Sequence, residues 1–174
     1  MVQTTWVLQK YLYNLYTSND LRKTAYVGLA ATGVPYSNKL KKPSVITDGG
    51  SDIVVLRYAD VLLMLAETQN EQNNIEEARK YLNPVRNRAG LQDSPASTKD
   101  EMRAAIALER RLELVGEGHR WFDLLRTGDA VSVMNQWFKD SGVPITVDKH
   151  HLLLPVPIGQ VNTDPAIVQN PGYY

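Results

Sequence analysis

The sequence predicts a mostly α-helical protein of antiparallel helix pairs, followed by an irregular, proline-rich C-terminal tail. Three observations predict it. Apolar residues recur at helical spacing from Tyr58 to Val85, with one polar break at Asn70–Asn74. Thr98 followed by Glu101 is a capping-box pattern that opens a further helical stretch. Beyond Gly142 periodicity gives way to Pro155, Pro157, Pro165 and Pro171, which hold the backbone extended.

In chain order, residues 1–36 are rich in aromatics, with Trp6, Tyr11, Tyr13, Tyr16, Tyr26 and Tyr36. Leu8, Leu12 and Leu15 keep partial helical spacing up to a break at Thr17–Asp20. Residues 37–52 read as loop, punctuated by Pro43 and Asp48-Gly49-Gly50-Ser51. Ile53–Leu56 fits either a short strand or the beginning of a helix. Tyr58, Val61, Leu62, Leu65 and Ala66 then share one helical face, and Ile75, Ala78, Leu82 and Val85 a second. Arg86 and Arg88 ahead of Gly90 mark a helix end. Pro84 should kink or shorten that helix, because it removes one backbone hydrogen bond. The third helix runs from about residue 100 to Val115, with Gly116 and Gly118 after it. A fourth covers 119–138, interrupted at Gly128. Pairs are expected at 57–70/75–89 and 100–116/119–138, with Leu62, Leu65, Ala78, Leu112 and Trp121 buried. Leu62, Leu65, Ala66, Ala78 and Leu82 follow the large-large-small-small-large spacing of a tetratricopeptide helix pair, in which small residues let two helices approach. One such pair cannot bury its own face and needs neighbours.

At 174 residues the chain is the size of one domain and long enough for a core. Net charge is zero, and the basic excess in residues 1–50 is only four, half of its positives being Lys39, Lys41 and Lys42. That is too weak a footprint for nucleic acid. The absence of cysteine excludes disulfides, thiolate metal sites and a cysteine nucleophile within these residues. No apolar run approaches the roughly 18 residues of a membrane span, and the residues after Met1 show neither a basic n-region nor a long apolar h-region. Phosphate loops, nucleophile elbows and His-Glu-x-x-His motifs are all missing. No cofactor and no metal are expected; adjacent His150 and His151 would face opposite ways on a strand.

The stretch from Glu109 to Asp129, ERRLELVGEGHRWFDLLRTGD, holds ten ionisable residues among its twenty-one. Glu109, Glu113 and Glu117 form a ladder at i, i+4, i+8, with Arg110 on the same face. Like charges at that spacing repel, so the ladder asks for cations from elsewhere. Arg120 and Arg126 are the nearest, and an arginine fork can bridge two carboxylates. A catalytic acid pair of the glycosidase kind needs one carboxyl with a raised pKa. Arginines one turn from each glutamate favour the ionised form instead, so the ladder reads as a structural ion network. Trp6 and Tyr36 lie outside strong helical periodicity and are the candidate ligand-binding rings, with core packing as the competing reading.

Three blocks in this order, VLRYADVLLMLAETQNEQNNIEEARKYLNPVRNRAGL, ERRLELVGEGHRWFDLLRTGDA and LLLPVPIGQVNTDPAIVQNPGY, resemble the C-terminal part of the SusD/RagB family. The resemblance runs from about Ile53 to Tyr174, and YTSNDLR at Tyr16–Arg22 looks like the short Tyr and Asp-x-Arg stretch that precedes it. Asp164-Pro165 stands where the family usually has Asn-Pro. These are outer-membrane nutrient-binding lipoproteins. The resemblance implies tetratricopeptide-like helix pairs, no catalysis, and binding of an oligosaccharide or polysaccharide at the cell surface. It also implies delivery of that ligand to a SusC-like TonB-dependent transporter. Members are longer and begin with a signal peptide and a lipid-bearing Cys, so the chain is expected to be a C-terminal portion: a lead-in at 1–52, helical pairs at 53–140 and a tail at 141–174 of one domain. A freestanding helical-repeat scaffold for a protein partner stays open as the alternative.

Overall fold

A computed structural model describes residues 10–39 and 54–173. Trp6, Lys41 and Lys42 lie outside the described residues, as do Pro43 and Asp48–Ser51. The chain divides into two compact units after His119.

The first unit opens with two short helices, α1 (Lys10–Leu15) and α2 (Arg22–Ala25). The break between them is built from local side-chain bonds. The Asp20 carboxylate accepts the Arg22 backbone N–H at 2.9 Å, and the Thr17 hydroxyl donates to Asn19 at 2.7 Å. A small hairpin follows, β1 (Val27–Leu29) antiparallel to β2 (Pro35–Ser37), with Gly28 opposite Tyr36. Residues 54–57 lead irregularly into α3 (Tyr58–Glu71).

α3 and α4 (Ile75–Arg88) form a hairpin around a three-residue turn in which Asn73 takes a left-handed conformation, φ 65°. α4 runs through Pro84 to Arg88, so the proline does not end it. Gly90, at φ 79°, turns the chain beyond it. α5 (Lys99–Glu113) starts on the capping box expected from the sequence, with Thr98 and Glu101 each accepting from the other's backbone. α5 packs against both α3 and α4. The core comprises Leu62, Leu63, Ala66, Ala78, Leu82, Val85, Met102 and Ile106. Ala66 and Ala78, each fully buried, leave room for the α3–α4 approach. Tyr16, Val27 and Leu112 form a second, smaller cluster.

Two core expectations are corrected here. Leu65 is 38 % exposed and Tyr58 75 %. The buried residues of α3 are Asp60, Leu62, Leu63, Ala66 and Asn70, a face rotated from the stripe that pure spacing suggested. Because α5 covers α3 as well as α4 does, Leu63 faces inward and Leu65 does not.

In the second unit α6 (His119–Thr127) and α7 (Ala130–Asp140) divide at Gly128, φ 80°. α6 buries Leu124, while Trp121 is half-buried and Phe122 exposed, so neither is the core anchor the sequence suggested. The tail holds a 3₁₀ turn (Lys149–Leu152) and α8 (Ile158–Thr163), which the sequence reading missed. Side-chain amides brace the irregular stretches. Asn135 exchanges two bonds with the Val147 backbone, at 2.9 and 2.7 Å, and Gln169 two with the Val156 backbone, at 2.8 and 2.7 Å. Among the described residues no helix is long and apolar enough to cross a membrane.

Candidate functional site: a buried ion network and an adjoining cavity

The glutamate ladder lies in the first unit, at the end of α5. Glu109 is 1 % and Glu113 0 % exposed. Burying two carboxylates costs several kcal/mol each unless cations and hydrogen bonds replace water. The cations come from far along the chain. Arg22 sits between Asp20, Glu109 and Glu113. Its Nη2 lies 2.8 Å from Asp20, and its Nη1 lies 2.6 Å from Glu109 and 3.0 Å from Glu113. Arg57, just ahead of α3, contacts Glu113 at 2.6 Å and Glu117 at 2.8 Å, and also donates to the Glu113 carbonyl at 2.6 Å. Arg86 and Arg88, at the end of α4, reach Glu109 at 3.3 Å and Glu113 at 2.6 Å. Lys39 bonds Glu117 and the Glu113 carbonyl and lies 4.1 Å from the centre of the Tyr26 ring. Tyr16 donates to the Leu112 carbonyl at 2.8 Å, which fixes the lead-in on the same turn of α5.

Arg110 and Arg126 also have carboxylate partners outside the ladder. Arg126 pairs with Asp123, one turn away in its own helix, at 2.9 Å. Arg110 donates to Asp60 of α3 at 2.7 Å. The cations seen on Glu109, Glu113 and Glu117 are Arg22, Lys39, Arg57, Arg86 and Arg88, whereas sequence proximity had pointed to Arg120 and Arg126. Arg86 and Arg88 had read as helix-end residues, and nothing local in the sequence points them at residues more than twenty positions away.

The two fully buried glutamates differ in electrostatics. Burial pushes the Glu109 carboxyl above its ordinary range, against the pull of Arg22 and Arg86. Burial acts the same way on Glu113, but bonds from Arg57 and Arg22 and the charges of Arg57 and Arg88 outweigh it, holding that carboxyl low. Glu117 is likewise held low against its burial, through Arg57 and Lys39. A general acid working near neutral pH needs a raised carboxyl within reach of substrate. Glu109, the one raised member of the ladder, is sealed from solvent. The cluster has the chemistry of a brace: it ties the lead-in, α4 and the Arg57 turn to one end of α5.

Beside the brace is a cavity of about 370 Å³, within the size range of small-molecule sites. Leu62, Pro84 and Val85 give it apolar lining, and Tyr58, Arg57 and Arg88 also line it. Of the two candidate rings, Trp6 lies outside the described residues. Tyr36 is half-buried, and its ring lies across Gly28 of the paired strand, where an added Cβ would come within 2.3 Å of it. Tyr58, which periodicity had assigned to the core, is exposed and lines the cavity.

His150 and His151 sit on the 3₁₀ turn, not on a strand, so their rings meet at 3.8 Å instead of pointing apart. Together with Asp148 they bring three possible metal ligands within 4.8 Å of one another. The His151 Nδ1 accepts the Asp148 backbone N–H at 2.9 Å. A metal-bound imidazole donates from its second nitrogen, so His151 is held in the wrong tautomer to bind through Nε2.

A helical hairpin backed by a third helix, with an internal ion brace and an adjoining cavity, forms a scaffold of packed helix pairs. The SusD family model matches residues 4–173, and the chain belongs to that family. Among curated relatives, SusD-like protein P25 of Formosa agariphila is 36 % identical over 67 % of this chain and 23 % of its own length. SusD-like protein P38 of the same organism is 41 % identical over 48 % of this chain and 18 % of its own. Surface glycan-binding protein A from Bacteroides uniformis superposes with a TM-score of 0.79 at 26 % identity, covering 93 % of this chain and 40 % of that one. Its counterpart from Bacteroides fluxus gives 0.77 at 25 %, covering 96 % and 40 %. The chain thus spans about a fifth of the curated relatives' length and two fifths of these structures.

Proposed function

We propose that this chain is part of a surface glycan-binding protein of the outer membrane, which captures a saccharide and passes it to a SusC-like TonB-dependent transporter. The observation that carries the reading is family membership over nearly the whole chain, together with structural likeness to two surface glycan-binding proteins. The chemistry of the site agrees with binding without turnover. The ladder carboxylates are occupied by arginines, and the cavity combines an exposed ring with guanidinium donors. Sugar rings present apolar C–H faces to aromatics and hydroxyls to such donors.

The α3–α5 helices offer a broad, rigid surface suited to a protein partner, and we assign the transporter contact to them. Saccharide binding is tested by a glycan array followed by calorimetry. Retention of at least one oligosaccharide, with no release of reducing sugar on long incubation, is the expected result. Hydrolysis that disappears in Glu113→Gln would overturn the non-catalytic reading. Surface plasmon resonance against a matching transporter tests the second half, with measurable affinity expected for the chain and failure of that assignment if there is none.

A further inference from the structure

Among the described residues the ion network carries more positive than negative charge: five cations, Arg22, Lys39, Arg57, Arg86 and Arg88, meet four carboxylates, Asp20, Glu109, Glu113 and Glu117. The excess is not spread evenly. Arg22 is enclosed, with all three of its nitrogens engaged. Arg57 has Nε, Nη1 and Nη2 all committed. Arg88 is 54 % exposed in its side chain, and only its Nη2 is engaged among the described residues, by Glu113 and the Tyr26 hydroxyl. Its Nε and Nη1 remain as donors on a guanidinium already anchored at one corner. Arg88 lines the cavity together with Pro84, Val85 and Tyr58. Tyr58 and Ala59, also in the lining, are the first two residues of α3. Backbone N–H groups there have no intrahelical partner, and the helix dipole favours an anion.

We propose that this cavity is a subsite for an acidic sugar, a uronate unit whose carboxylate lies on the free edge of Arg88 and whose ring stacks on Tyr58. This rests on the saccharide-binding reading and narrows it to a ligand class and a place. A neutral sugar would use the ring and the apolar lining but would leave the excess charge unanswered. A carboxylate answers it, and a guanidinium pre-anchored by Glu113 gives up little side-chain freedom on binding.

The test measures, by calorimetry on the full chain, the affinity for trigalacturonate and for its carboxyl-reduced counterpart, in which hydroxymethyl groups replace the carboxylates. An array carrying other uronate-bearing oligosaccharides beside their reduced forms covers alternative linkages. The expected result is at least a ten-fold preference for the acid form of one such pair, weakening as salt rises. Arg88→Met should remove most of that preference. Tyr58→Ala, at an exposed ring whose loss spares the core, should weaken both forms. Equal affinity for acid and neutral forms, or a preference that survives Arg88→Met, overturns the subsite. Binding of neutral glycans alone also overturns it while leaving the saccharide-binding reading intact. Binding of no glycan on the array overturns both.

Discussion

The two ends of α4 carry similar residues to different ends. In its first turns Glu76 pairs with Arg79 and Glu77 with Lys80, each three positions apart. Three of these four side chains are at least a third exposed. In its last turn Arg86 and Arg88 reach Glu109 and Glu113, carboxylates at most 1 % exposed and more than twenty residues away. Exposed pairs of the first kind contribute little, because water already solvates each partner. In the second kind water has been removed, so loss of one partner strands the other. Charge density along a sequence therefore says little about energetic weight. Distance to the partner and burial decide it.

The contrast sets a graded series of expected effects. Arg22→Met should cost the most, about 3–5 kcal/mol, because Asp20, Glu109 and Glu113 would share a buried site without their central cation. Urea denaturation measures it, and a loss below about 0.5 kcal/mol would place this end of α5 in the same class as the first turn of α4. Glu113→Gln should cost about 1–3 kcal/mol at neutral pH, and it should also change the pH profile. The Glu113 carboxyl is held low in the folded state. Its contribution is therefore present above the unfolded value of about 4.3 and lost as pH falls through the folded value. The glutamine variant should flatten that acid limb. Glu109 runs the other way, since burial raises it. Its share is complete below the unfolded value and lost as pH rises through the folded one, so Glu109→Gln should steepen the acid limb. Identical profiles for the two variants would contradict the electrostatic difference between them.

Thr98→Ala supplies an intermediate step, since it removes the α5 cap without touching any buried charge. It should cost about 1 kcal/mol in thermal or urea melts. Lys80→Met should be the mildest, leaving the urea midpoint essentially unmoved, because both Lys80 and its Glu77 partner stand in water. A loss from Lys80→Met as large as that from Arg22→Met would erase the distinction between the two ends.

The helices were legible because their signals are local. The Thr98–Glu101 box, the Asn70–Asn74 break and the turns at Gly90 and Gly128 each act within a few residues. The charge ladder was legible as a demand for cations, but not the identity of its suppliers. Arg22 is 87 residues from Glu109, and Arg57 is 56 from Glu113, separations over which no periodicity operates. The YTSNDLR stretch resembled a family feature, yet only the fold shows that Tyr16 and Arg22 are buried against α5, with Asp20 buried on Arg22. The exposure of Tyr58 was hidden for a related reason. Its spacing matches the core stripe, but the packing of α5 on α3 turns a different face inward.

The most direct measurement is a double-mutant cycle on Arg22 and Glu109, with Arg22→Met, Glu109→Gln and the double variant compared by urea denaturation. The two side chains meet at 2.6 Å, both sealed from solvent. A buried brace predicts a coupling energy of about 1–3 kcal/mol, the double variant being much less damaged than the two single losses imply. Additivity within about 0.3–0.5 kcal/mol would mean that the charges at the end of α5 do not act as one network.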